Sequence, residues 1–510
     1  MLAMNEIELG DDFAALNNLE TFMAYSCMTS ASEFLSVSFY SSDITGTTYQ
    51  PSEIVLQCKK VFKNIIAYDK FDFDGKKESM YALRPAFDTV ADMIGKGKKV
   101  PESLLEIFAQ NPEYSAKLDS LINAKDKVPF KIFDKKNAEK LFGKNLNISA
   151  SQLEKFNLCR FSYFCNYGLN VRERQRAEIN PMQYGTIVHY ILERFFGEYT
   201  KEECLSLEED KFQKIVCAYL AEYAVKYFGE EQLESNSFTY RLKTILDNVM
   251  HLMKHIMEEL SQSEFFVADC ELKIGEDIPS YTIVLPDGHK IAVCGSVDRV
   301  DIMQRADITY LRIIDYKTGT KQFKLSDILY GINLQMLLYL HSIEASGGDK
   351  YGEIVPAGIL YMPATVPYIS SDSLKSIDKL PDELNKKLKM NGLLLKDTEI
   401  IHGMDKTDVA TYIPVKIKAG EPVSSTSLAT LAEFGKIFKK VDMLIAEMGK
   451  NIYNGNIEAK PLKGGHDSCE YCPYDSVCAY RQSNPITCFS VDNKTVIEEI
   501  TNEINGKEEE

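Results

Sequence analysis

No stretch of the 510-residue chain approaches 18 consecutive apolar residues, which excludes a helical membrane span. Internal repeats and low-complexity tracts are missing as well, so solenoid and fibrous architectures drop out. A phosphate-cradling G-x-x-x-x-G-K-[ST] loop occurs nowhere. Gly95-Lys96-Gly97-Lys98 lacks the spacing, and no ATP hydrolysis is expected from this chain alone. Positive charge is scarce: 58 Lys and Arg stand against 75 Asp and Glu, a net charge of −17. That balance argues against a general polyanion-binding surface but leaves room for a local basic channel. The opening MLAMNEIELGDD has no basic stretch leading into an apolar one, so a secretory signal is not expected and a cytoplasmic protein is.

What is present is ordinary globular composition, 45% hydrophobic and 26% charged, at a length that suits two to four domains. Twelve cysteines stand out. In a reducing compartment they are not a disulfide framework, so clustered ones are candidate metal or cluster ligands.

Along the chain, FAALNNLETFMAYSCM reads as a helix and FLSVSFY as a strand ending in Ser41-Ser42-Asp43 turn chemistry. Residues 51–147 read as mostly helical and polar. A helix is predicted over SQLEKFNLCRFSYF, with Ser149 or Ser151 placed to cap it. Another is predicted near 183–197, with the stripe Tyr184, Ile187, Val188, Ile191, Leu192 and Phe195. Strand patterns cover 266–274, 281–285, 290–302 and 309–317, the last two joined as an antiparallel hairpin by MQRAD. A helix is predicted over about 326–343 and a strand at GILYM, 358–362. A strongly amphipathic helix follows over about 428–453, through Leu431, Phe434, Phe438, Val441, Leu444, Ile445 and Met448. The alternation gives an α/β or α+β fold.

Two carboxylates and a lysine carry the chemistry. In Leu311-Arg312-Ile313-Ile314-Asp315-Tyr316-Lys317, Asp315 and Lys317 are two apart and share a face at the strand's exit. The paired run Val293-Cys294-Gly295-Ser296-Val297-Asp298-Arg299 supplies a second carboxylate. Two carboxylates at ~4 Å repel by about 4 kcal/mol at an effective dielectric near 20, and a bridging divalent cation turns that cost into binding. Mg²⁺ suits such a set, completed by water and phosphate oxygens. Lys317 is placed to orient a water or neutralise charge on a phosphorane. Gln335 and Tyr339 lie at i, i+4 on one helical face, and His189 sits on the polar flank of the 183–197 helix, one turn after Gly185.

Cys469, Cys472 and Cys478 form C-x₂-C-x₅-C. Three thiolates need a fourth partner for a tetrahedral zinc or an iron–sulfur cubane, with His466 and Cys488 nearby in sequence.

The order His189, Asp298, Asp315-x-Lys317, Gln335-x-x-x-Tyr339 resembles the RecB-type branch of the PD-(D/E)XK nuclease superfamily. The resemblance implies His189, Asp298 and Asp315 as ligands of Mg²⁺ or Mn²⁺, Lys317 as the catalytic lysine, and Gln335 and Tyr339 as the element associated with DNA engagement. Arg299 and Lys321 are further candidates for steering a strand. Iron–sulfur members of the branch carry one Cys near the start of the domain and three near its end, which implies a 4Fe–4S cluster on Cys159, Cys469, Cys472 and Cys478, with Cys165 the competitor to Cys159. Joining residues 159 and 469 closes a loop of about 310 residues, an entropy cost of about 5 kcal/mol, so the cluster reads as a structural staple. A zinc-stapled binding module is the alternative.

The segments SASQLEKFNLCRFSYFCNYGL, GSVDRVDI, RIIDYKTGTKQFKLSDILYGINLQMLLYL, PAGILYMP, GLLLKD and CEYCPYDSVCAY resemble the C-terminal half of the AddB/RexB family of AddAB-type helicase–nucleases. ETFMAYSCMTSASEFLSVSFY resembles the last part of that family's superfamily-1 helicase-like region, but Ser30 stands where a working helicase carries arginine. The implied organisation is the end of a helicase-like domain at 1–60, a mostly helical connector at 61–147, a restriction-endonuclease-like nuclease core with helical additions at 148–490, and an acidic tail at 491–510. The implied activity is Mg²⁺-dependent exonucleolytic cutting of the 5′-ended DNA strand during recombinational break processing, beside an AddA-type partner. Two alternatives are a stand-alone iron–sulfur nuclease similar to those of CRISPR adaptation, which the length and N-terminal segment disfavour, and a non-catalytic scaffold that guides DNA.

Overall fold

The computed structural model describes residues 13–41, 48–65, 81–95, 98–123, 131–132, 134–172, 181–228, 236–319, 322–365, 380–424, 426–478, 480 and 485–508. The chain divides into two compact units, Met1–Val128 and Pro129–Glu510. Among the described residues no helix is long and apolar enough to cross a membrane.

In the first unit, helices run over Phe13–Thr29, Glu53–Val61, Leu83–Gly95, Glu102–Gln110 and Ser115–Asn123. Its core is small: Phe87, Val90, Phe108, Tyr114 and Leu118 are buried together, with Phe87 and Phe108 meeting edge-to-face at 5.2 Å. The Phe13–Thr29 helix buries none of its residues. FLSVSFY forms no ladder among the described residues. β-branched and aromatic alternation makes a strand only where a neighbour takes its N–H and C=O groups. Here the backbone bond near it is from Tyr49 N–H to Ser41.

The second unit is built on a six-stranded mixed sheet whose spatial order follows the chain. Its strands are β1 (Phe266–Ile274), β2 (Gly295–Arg305), β3 (Ile308–Lys317), β4 (Glu353–Pro363), β5 (Asn391–Leu395) and β6 (Leu428–Ala429). β1, β2 and β3 pair antiparallel, and β4 lies parallel to β3. That parallel step needs a crossover, supplied by helix α4 (Gln335–Ser346), which packs on β4. The predicted hairpin between the last two strand patterns is β2–β3, turning at Arg305–Ile308.

The run 290–302 divides into two strands. Lys290–Val293 joins a separate three-stranded sheet with Asn145–Ile148 and Thr282–Val284, and the chain passes to the main sheet through Cys294, whose N–H goes to Ile148. Asn145–Ile148, paired with Lys290–Val293, and the preceding helix Lys135–Phe142 therefore lie in the second unit.

Around the sheet lie α1 (Ala150–Leu158), α2 (Pro181–Glu198), α3 (Asn236–Ser261), α5 (Leu431–Tyr453) and α6 (Asn493–Glu508). Ser149, not Ser151, caps α1 through a capping box with Gln152. The predicted single helix breaks at Cys159, which is extended (φ −168°), and resumes as a short turn and a π-helical stretch, Phe164–Gly168. α2 buries Ile187, Val188, Ile191, Leu192 and Phe195, as its stripe requires. α5 buries Phe434, Phe438, Val441, Leu444, Ile445 and Met448, while Leu431 stays exposed in the first turn after a Thr430–Glu433 capping box. The segment expected as an acidic tail is helix α6, which buries Val496 and Ile500 and packs on α5.

Candidate active site and cysteine centre

The register of three strands brings the carboxylates together. β2 and β3 pair as far as Arg299–Ile314, so Asp298 and Asp315 are the next residues, opposite each other as the strands part. Between the pairs Cys270–Arg299 and Leu272–Val297, Glu271 of β1 faces Asp298. Asp298 Oδ2 accepts the Tyr316 N–H at 2.9 Å, so its side chain takes over a bond as the ladder ends. Glu271 is held in the left-handed region (φ +51°), which costs a β-carbon-bearing residue about 1–3 kcal/mol and persists where surroundings impose it. Its carboxylate accepts from Ser296 Oγ at 2.7 Å and meets His189 Nδ1 of α2 at 3.0 Å. His189 Nδ1 lies 3.7 Å from Asp298 Oδ1. His189, Glu271 and Asp298 offer ligand atoms all within 4.8 Å of one another.

Asp315 is buried, and Gln335 Nε2, on the first residue of α4, donates to its Oδ1 at 3.1 Å. Its Oδ2 faces the Lys317 ammonium at 2.5 Å as an ion pair but receives no well-directed hydrogen bond. The charges feel one another. Burial, then the Asp315 charge, pushes Asp298 up to about 7. Burial pushes His189 down, but its hydrogen bond to Glu271 and the charges of Asp298, Glu271 and Asp315 outweigh that and hold the imidazole above its ordinary value. Burial also raises Glu271, and the hydrogen bonds from His189 and Ser296 bring it below the usual range. Hard carboxylate oxygens with one imidazole, one ligand position forced towards neutrality and one buried oxygen left without a directed donor fit a divalent cation of the Mg²⁺ or Mn²⁺ type.

A model of the PD-(D/E)XK nuclease superfamily matches residues 147–479. The chain belongs to the PD-(D/E)XK nuclease superfamily. Over nearly its whole length it is also similar to proteins named as the B subunits of ATP-dependent helicase/deoxyribonucleases. The Thermoanaerobacter sp. (strain X514) protein is 31% identical over 504 residues, covering 94% of this chain and 43% of that protein. The Clostridium acetobutylicum protein is 30% identical over 505 residues, covering 93% and 43%. The Clostridium kluyveri protein is 30% identical over 538 residues, covering 100% and 46%. The chain thus spans less than half the length of these relatives.

Within this PD-(D/E)XK domain the remaining predicted residues divide. Arg299 is not available to a nucleic acid strand. It is wholly buried, bound by Asp301 at 2.6 Å and by Glu259 of α3 at 3.0 Å. Arg312 binds the same two carboxylates at 2.9 and 2.6 Å. Arg299 follows Asp298, and strand alternation turns it away from the site into this closed ion network. Tyr339 is likewise buried. Its hydroxyl occupies the space beside Gly295, where a Cβ would collide with it. Lys321 lies outside the described residues. Glu271 was not anticipated, because only cross-strand register, not sequence spacing, sets it beside Asp298.

The cysteines also gather. Cys159 and Cys165 are buried with Phe161 and Tyr474, and Cys472 and Cys478 pack against them. Burial raises the Cys159 thiol, the N–H groups of Ser162 and Phe161 offset part of that, and Cys478 and Cys472 push it further up. Cys478 is raised by burial and by Cys472 and Cys469. All of these thiols are free of disulfides. The two other partners considered are engaged elsewhere: His466 lies 3.6 Å from Asp327, and Cys488 packs with Ile332 and Leu462. Cys159, Cys165, Cys472 and Cys478 thus converge on one apolar pocket from both ends of the domain, while Cys469 is not among the residues packed there. The soft donors suit a cluster, whose thiolates stand further apart than those around a single metal ion, and no three of the described thiols lie within 4.8 Å of one another.

Proposed function

We propose that this chain is a divalent-metal-dependent deoxyribonuclease module of an AddAB-type helicase–nuclease, working with an AddA-type partner on single-stranded DNA emerging from unwound duplex. The observation that carries this reading is the convergence of His189, Glu271 and Asp298 beside the Asp315–Lys317 pair. Mg²⁺ or Mn²⁺, held by His189, Asp298 and Asp315 with Glu271 as a further ligand, would supply Lewis-acid stabilisation of phosphoryl charge. The chain's own groups do the rest. Gln335 fixes the Asp315 carboxylate, and the Lys317 ammonium at the mouth of the strand neutralises charge developing on the phosphodiester oxygens. On this reading the strand cut is the 5′-ended one, during break processing for homologous recombination, as the resemblance of the sequence segments to the AddB/RexB family implies. On the same reading, Met1–Val128 contains the end of a helicase-like region without ATPase activity. Cys159, Cys469, Cys472 and Cys478 hold a 4Fe–4S cluster, with Cys165 in the same pocket.

The test is anaerobic purification followed by a Mg²⁺-dependent assay on end-labelled single-stranded DNA, with Asp315→Ala and Lys317→Ala alongside. Both variants are expected to keep the fold and lose cleavage by about 100-fold or more, as loss of a transition-state charge partner does. Wild-type cleavage by either variant overturns the assignment.

A further inference from the structure

α4 carries Gln335, yet its own start lacks a side-chain cap, because the capping position is Leu334. The N–H groups of a helix's first turn need partners from elsewhere, and an anion placed there is stabilised by the helix dipole. The partner comes from α1. Glu154 Oε1 accepts the N–H of Leu334 at 2.7 Å and that of Gln335 at 3.3 Å. A further contact holds α1 to the same region: Asn157 Nδ2 donates at 3.0 Å to the carbonyl of Gly331, a left-handed residue (φ +69°) in the turn before α4. α1 is itself fixed at both ends, by the Ser149–Gln152 capping box and by Cys159 in the cysteine pocket.

We propose that Glu154 is a positioning residue for the active site: it fixes the backbone of Gln335, whose side chain fixes Asp315, and so ties α1 and its cysteine anchor to the geometry of the carboxylates. The inference rests on the metal-dependent nuclease reading. Among the described residues no other group accepts the N–H of both Leu334 and Gln335, so removing the carboxylate loosens the residue whose side chain donates to Asp315 Oδ1.

The experiment measures Mn²⁺ dissociation constants by calorimetry, with melting temperatures, on the full chain and on Glu154→Ala, Gln335→Ala and the double variant. Glu154→Ala is expected to weaken Mn²⁺ binding about tenfold, the low end of what losing a ligand's supporting partner costs. Glu154→Gln, which keeps an oxygen acceptor, is expected to recover to within about threefold of wild type. The double variant should bind no more weakly than Gln335→Ala alone, since both act through one hydrogen bond. If Glu154→Ala does not fold, Glu154→Met keeps the stem, removes the acceptor and serves in its place. A lowered melting temperature with unchanged Mn²⁺ affinity overturns the proposal, as does a Glu154 penalty that persists in the Gln335→Ala background. Failure of the wild-type chain to bind Mn²⁺ or to cleave DNA defeats the nuclease reading and this proposal with it. Wild-type binding and cleavage with an indifferent Glu154→Ala defeat the proposal alone.

Discussion

Metal binding at this site is expected to release protons and to strengthen with rising pH. The two groups concerned are Asp298, pushed up to about 7, and His189, held above its ordinary value by the carboxylates around it. A cation takes both in their deprotonated forms, so each bound proton competes with it. For Asp298 alone, the ionised fraction is about nine-tenths at pH 8, about half at pH 7 and about one-tenth at pH 6. Mn²⁺ affinity should therefore fall about fivefold from pH 7 to pH 6 through Asp298, and more steeply once His189 is counted. The sign for folding follows. Raised values in the folded state mean that both groups stabilise the metal-free domain below their unfolded values, near 4 and 6.5, and withdraw that stability as pH rises through the folded ones. Glu271, held low, acts oppositely, and its contribution is lost only as pH falls into the acid range. The melting temperature gained on adding saturating Mn²⁺ should accordingly grow between pH 6 and pH 8. Calorimetric titration in two buffers of different ionisation enthalpy counts the released protons directly. Affinity that is flat across this range, with no proton released, would refute the placement of the cation among these groups.

Three further outcomes follow from the packing. Glu259→Ala leaves Arg299 and Arg312 buried with Asp301 as their remaining carboxylate partner, and should cost about 3–5 kcal/mol in urea unfolding. A loss under about 1 kcal/mol would mean the network opens to water. Gly295→Ala drives a methyl group into the Tyr339 hydroxyl and should destabilise by about 1–3 kcal/mol while weakening Mn²⁺ binding, whereas an unchanged melting curve would contradict the close approach. Cys472→Ala should abolish bound iron and most of the domain's stability, as read by metal analysis and melting, and a well-folded, iron-free, fully active variant would sink the staple.

The parts of this fold that were legible in sequence are those whose pattern is local. The α2 stripe, the α5 stripe and the β2–β3 hairpin need only periodicity and a turn, and Asp315-x-Lys317 needs only the two-residue repeat of a strand. What was not legible depends on partners distant in sequence. Glu271 matters because β1 is in register with β2. FLSVSFY is strand-like in composition but has no neighbour among the described residues to pair with. Arg299 looked available beside Asp298, and only the tertiary placement of Glu259 shows that it is consumed within the core. The predicted helix over 326–343 ignored Gly331 and Asn333, both left-handed, which turn its first part into a 3₁₀ stretch over Leu325–Tyr330 and start α4 at Gln335 itself.

The nuclease unit is fastened by its two ends to each other. Ile132 N–H bonds Gly455, Tyr453 hydroxyl reaches the carbonyls of Gly143 and Lys144, Tyr474 hydroxyl reaches Val171, and Cys159 meets Cys472 and Cys478. A ribosome delivers these partners hundreds of residues apart, so α1 waits for its anchor until nearly all of the unit has been synthesised. A chain that stalls before its closing cysteines lacks the contacts that anchor the end of α1.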